Sequence, residues 1–133
     1  MISTKGRYAL RVMIDLAEHS DEGYISLKDI ADRQEISKKY LESIVKDLMA
    51  EGLVDAKYGR TGGYRLSRGA ADYSVYDILR PTEGMRSMSA VACLQDDAPE
   101  CARASACKTL PLWTELDDLV RDYLQNKRLS DLL

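Results

Sequence analysis

At 133 residues, with 45% apolar and 31% charged side chains, the chain has the length and balance of one ordinary domain with room for a single real core. No run approaches the roughly 18 apolar residues of a membrane span, and MISTKGRYAL lacks the apolar core and cleavage site of a secretory signal, so the expected setting is cytoplasmic, with no membrane partner. The net charge of -3 hides an asymmetry: residues 1–68 carry 12 basic and 11 acidic side chains (+1), residues 69–133 carry 7 and 11 (-4), and residues 36–68 alone carry 7 and 4 (+3).

Tyr8, Ala9, Val12, Met13, Leu16 and Ala17 recur at helical spacing, with Ser3 or Thr4 available as the cap, which predicts an amphipathic helix to about His19. After a turn at Asp21-Glu22-Gly23, Ser26 and Asp29 form a capping-box-like start to a short helix that buries Leu27, Ile30 and Ala31 and ends near Gln34. Ser37 then caps a third helix with an apolar stripe of Leu41, Ile44, Val45, Leu48 and Met49, and Gly52 is placed to terminate it. Two β-prone runs, Leu53 to Tyr58 and Tyr64 to Leu66, flank GRTGG and read as a two-stranded wing. Val75, Ile78 and Leu79 predict a fourth helix stopped near Pro81, because proline lacks the amide donor. Residues 82–110 show no sustained period. Leu112, Leu116, Leu119, Val120, Tyr123 and Leu124 then mark a helix from about Pro111 to Lys127, spanning roughly 24 Å and apolar enough to want a partner.

The third helix divides as a DNA-reading helix must, with one face for the core and another for base edges in the major groove. Lys38, Lys39, Glu42, Ser43 and Lys46 lie opposite the apolar stripe, and Ser37 and the helix N-terminus are available to phosphate oxygens. A carboxylate near DNA is unfavourable unless it accepts from a cytosine amino group, so Glu42 is the expected base reader and the lysines the positioning charges. The wing offers Lys57, Arg60 and Arg65, and an arginine at its tip can enter a narrow minor groove. A lysine-rich helix face alone is often just solvated; the ordered set of helix, capped helix, turn, capped helix and basic hairpin is far more specific.

Cys93, Cys101 and Cys107, with seven and five residues between them, lie in an irregular acidic stretch ahead of the last helix. Their spacing admits an iron–sulfur cluster, redox-active thiols or plain burial; structural zinc fits less well without a close cysteine pair. Asp96, Asp97 and Glu100 are candidate further ligands, and the single histidine, His19, reads as a helix-end capping cation. One histidine, no phosphate-binding glycine loop and no nucleophile elbow leave little basis for an enzyme.

The segments STKGRYALRVMIDLA at 3–17, SLKDIA at 26–31, ISKKYLESIV at 36–45, GLV at 52–54, GGYRL at 62–66 and the cysteine stretch leading into LPLW at 110–113 together resemble the Rrf-type winged-helix regulators of the IscR, NsrR and CymR kind, over essentially the whole chain. The resemblance implies a mainly α fold: a winged helix-turn-helix domain at 1–80, a cysteine-containing sensor loop at 81–110, and a dimerisation helix and tail at 111–133. It implies a homodimer on near-palindromic double-stranded operators, and it implies that Cys93, Cys101 and Cys107 hold an iron–sulfur cluster, with the 2Fe–2S form ahead of 4Fe–4S. The fourth ligands of such relatives do not carry over, since Leu110 and Arg7 stand at their positions. In the wing Tyr58 precedes Gly59 where relatives have arginine, leaving Arg60 to supply the minor-groove charge. The alternative is a cluster-free, CymR-like repressor controlled by thiol redox state or by a metabolic-enzyme partner.

Overall fold

In the computed structural model, which describes residues 1–83 and 88–133, three serines open the first three helices. Ser3, Ser26 and Ser37 sit in extended backbone and accept from the amides of Gly6, Asp29 and Tyr40 at 3.0, 3.1 and 3.2 Å, satisfying donors that a helix start leaves orphaned. They begin α1 (Thr4–Glu18), α2 (Leu27–Gln34) and α3 (Lys38–Ala50). His19 is the residue just past α1, as expected, with its Nδ1 2.8 Å from the Asp15 carbonyl oxygen. Glu35, left-handed at φ 54°, makes the turn between α2 and α3, and Gly52 at φ 69° follows the end of α3.

Strands β1 (Val54–Lys57) and β2 (Gly63–Leu66) pair antiparallel with Val54 opposite Leu66 and Lys57 opposite Gly63. A third segment joins them. Ile25 and Tyr64 exchange both backbone hydrogen bonds at 2.8 Å, so the residues leading into α2 are paired to the wing. Only glycine fits beside that pair: a Cβ on Gly63 would lie 2.2 Å from the Ile25 carbonyl oxygen.

The core gathers Val12, Met13 and Leu16 of α1, Ile30 of α2, and Leu41, Ile44 and Leu48 of α3, all buried. Each such side chain contributes about 1.5–3 kcal/mol, which fixes the rotation of α3 and thereby the face it shows to solvent. Tyr73, fully buried, ties down the wing: its hydroxyl accepts from the Ser67 and Arg68 amides at 3.0 and 3.2 Å and donates to the Leu53 carbonyl at 2.7 Å.

Helix α4 (Val75–Glu83) corrects the sequence expectation, because it passes through Pro81 instead of stopping there. Thr82 and Glu83 are buried against the start of α1, and one Glu83 carboxylate oxygen accepts from both the amide and the hydroxyl of Ser3 at 3.0 Å. Those tertiary contacts offset the lost hydrogen bond and ring clash, a cost of about 3 kcal/mol that the local sequence makes visible while its compensation is not. Helix α5 (Leu110–Asn126) packs on α4, and the tail then turns back: the Leu129 amide donates to the Tyr73 carbonyl at 3.1 Å and its side chain is completely buried in the core. Among the described residues no helix is long and apolar enough to cross a membrane.

Candidate nucleic-acid interface and cysteine loop

The buried stripe of α3 turns Lys38, Lys39, Glu42, Ser43 and Lys46 outward as one exposed face, with Ser37 exposed at its head. The Ser37 hydroxyl already accepts from Tyr40, so it shapes the helix N-terminus as well as lying beside it. On β2, the Tyr64 hydroxyl is pushed up first by burial and then by Tyr58 and by the Glu42 charge. Helix α3 packs directly against β1, so its exposed face and the hairpin adjoin. Arg60 lies exposed in the hairpin connection, next to a Tyr58 that is 88% exposed.

An ion pair on a buried carboxylate ties α2 to α1. Asp15, only 1% exposed, receives Arg33 Nη2 at 2.7 Å and Nε at 3.0 Å and Gln34 Nε2 at 2.9 Å. Burial pushes the Asp15 carboxyl up, but the hydrogen bonds from Arg33 and Gln34, aided by the charges of Arg33 and His19, outweigh it and hold the group below its ordinary value. Arg11 adds a second tie, donating to the Gln34 side chain at 3.2 Å and to the Gln34 carbonyl. One signal was available: Asp15 falls inside the apolar spacing of α1, between Val12 and Leu16, where a carboxylate requires a partner.

Cys93 and Cys101 are exposed and Cys107 half-buried, all as free thiols. Cys101 and Cys107 line one open cleft of about 560 Å³ with Arg103, Lys108 and Thr109, and Cys93 is not part of its wall. The Thr109 hydroxyl, 3.4 Å from the Cys107 sulfur, and the Thr109 amide hold that thiol below its ordinary value, with the Arg103 charge adding to them. Three accessible thiols fit an iron–sulfur group by their chemistry. They are not gathered in this conformation: among the described residues no three His, Cys, Asp or Glu side chains form a metal-binding group, and Asp96, Asp97 and Glu100 lie exposed. Leu110 begins α5, and Arg7 donates to Thr4 at 3.2 Å on the first turn of α1.

Helix-turn-helix, adjoining hairpin wing and long C-terminal helix define a winged-helix transcription regulator, not an enzyme. Residues 2–133 match the family model described as Rrf2, iron-dependent transcriptional regulator, and the chain belongs to that family. It is 36% identical to the HTH-type transcriptional regulator IscR of Pectobacterium atrosepticum, over 99% of this chain and 78% of the relative. It is equally 36% identical to Protein rrf2 of Nitratidesulfovibrio vulgaris, over 99% and 86%. Among solved structures, oxidised Staphylococcus aureus CymR is 38% identical with a TM-score of 0.78, covering 99% of this chain and 94% of that one. T. potens IscR is 33% identical with a TM-score of 0.75, covering 99% and 85%.

Proposed function

We propose that the protein is a homodimeric regulator that binds near-palindromic DNA, with α3 in the major groove and the wing on the flanking backbone. The observation that carries this reading is the single exposed face of α3, set by its buried stripe and adjoined by the wing. Lys38, Lys39 and Lys46 neutralise phosphates, Ser37 and Ser43 hydrogen-bond beside them, Glu42 reads a base and Arg60 approaches the minor groove. Each Lys→Ala change should weaken binding to all duplexes alike and reduce the slope of log affinity against log salt by about 0.9. Glu42→Ala should instead cut discrimination at one base-pair position by roughly tenfold. Competition among single-position operator variants measures both; unchanged relative affinities in Glu42→Ala would remove its role as a reader.

Control through the cysteine loop is the second part of the proposal. Cys93, Cys101 and Cys107 would hold an iron–sulfur cluster, which supplies oxygen- and redox-sensitive metal chemistry when bound. The chain's own part is to present three accessible thiols immediately ahead of α5, the helix that packs on α4. Anaerobic reconstitution is expected to give visible absorbance that Cys93→Ala, Cys101→Ala and Cys107→Ala each diminish; a colourless product from the unaltered chain would overturn it. A cluster-free thiol switch is the second reading, favoured by the shared Cys101–Cys107 cleft and the lowered Cys107 thiol.

A further inference from the structure

We infer that Tyr24, outside the α3 face and the hairpin itself, is the positioning residue for the cations of the wing. Its ring carries two of them: the Arg65 guanidinium carbon is 4.5 Å from the ring centroid and the Lys57 ammonium nitrogen 5.8 Å. The three residues Tyr24, Ile25 and Ser26 act as one joint. Tyr24 lies against the wing cations, Ile25 is paired to Tyr64 of β2 by two 2.8 Å hydrogen bonds, and Ser26 caps α2. The cations of the wing are thus referenced to the helix-turn-helix by a side chain that belongs to neither the hairpin nor α3.

A guanidinium held over a ring is attracted by the ring quadrupole and not by a hydrogen bond, so its N–H donors remain available to phosphate oxygens. Arg65 keeps half of its side chain exposed, and its other neighbour, Asp55 across the strand pair, stands 3.9 Å from Nε. Holding two long cationic side chains in place before DNA arrives lowers the ordering cost that binding would otherwise bear. This inference rests on the DNA-binding reading above and adds to it a residue that acts through Lys57 and Arg65.

The test uses the full chain and a duplex selected from a random-sequence library with the unaltered protein, titrated across a salt series. Tyr24→Leu is expected to weaken binding about tenfold and to reduce the salt slope by about one to two, the loss of one or two phosphate contacts. Tyr24→Phe, which keeps the ring, is expected to restore both. With Lys57 and Arg65 both replaced by alanine, Tyr24→Leu should have no further effect, a result that a merely structural role would not give. Binding by Tyr24→Leu that is unchanged or tighter, a Phe variant as weak as the Leu variant, or a persisting effect in the double-alanine background overturns the inference. Selection of no duplex by the unaltered chain overturns the DNA-binding reading itself.

Discussion

Arg33→Ala is expected to destabilise the fold by about 3 kcal/mol at neutral pH, lowering the thermal midpoint by roughly 10 °C. The change strands the Asp15 carboxylate at 1% exposure with only Gln34 and the nearby His19 to answer it. The lower end of the range for breaking a buried pair applies, because Arg33 is itself 35% exposed and the site is not fully dry. Asp15→Asn should cost less, since it leaves a cation that can turn to water instead of a buried anion. The pH dependence has a definite sign. With its folded-state value held below the ordinary one, Asp15 contributes stability that is present above its unfolded value of about 3.9 and is lost as pH falls through the folded value. In Arg33→Ala the burial effect remains without its main opponent, so the two proteins should converge in stability below about pH 4. Urea unfolding at neutral and acid pH checks this; a gap that stays constant to pH 3 or so would show that the pair is not the source of the stability.

The elements decided by neighbours in the chain were legible in the sequence. The Ser26 and Ser37 caps, His19 at the end of α1 and Gly52 after α3 are local hydrogen bonds and local dihedral preferences, and periodicity alone placed the exposed face of α3. What escaped depends on residues far apart in sequence. The Asp15–Arg33 pair spans 18 positions, the Ser3–Glu83 contact 80, and the Ile25–Tyr64 bridge joins a turn to a strand. No period or cap signal encodes such pairings. The apolar face of α5 was legible as a helix but not in its division: Val120 and Leu124 are half-buried, whereas Leu112, Leu116, Leu119 and Tyr123 stay exposed. For the cysteines, spacing named the donors and left their geometry open, because an irregular loop has no repeat from which to infer convergence.

Leu119→Glu is expected to dissociate the proposed dimer by a hundredfold or more, on the order of the cost of burying an unpaired carboxylate. Leu112, Leu116, Leu119 and Tyr123 follow a spacing of four, three and four along α5 and are 55%, 37%, 61% and 64% exposed, a stripe of the kind that a second helix covers. Two-fold symmetry places the same residue on both sides of such an interface, so a single substitution introduces two like charges near one another. The α3 face lies on a different element, and each reading unit should keep its intrinsic affinity. What is lost is the link between the two units, whose effective concentration raises affinity for a paired site by about 10²–10⁴. Binding to a palindromic duplex should therefore fall by about a hundredfold while binding to an isolated half-site stays the same. Sedimentation alongside the two titrations separates the possibilities. An unaltered chain that sediments as a monomer removes the dimer, and a variant that loses half-site binding as well has damaged the reading unit instead of the interface.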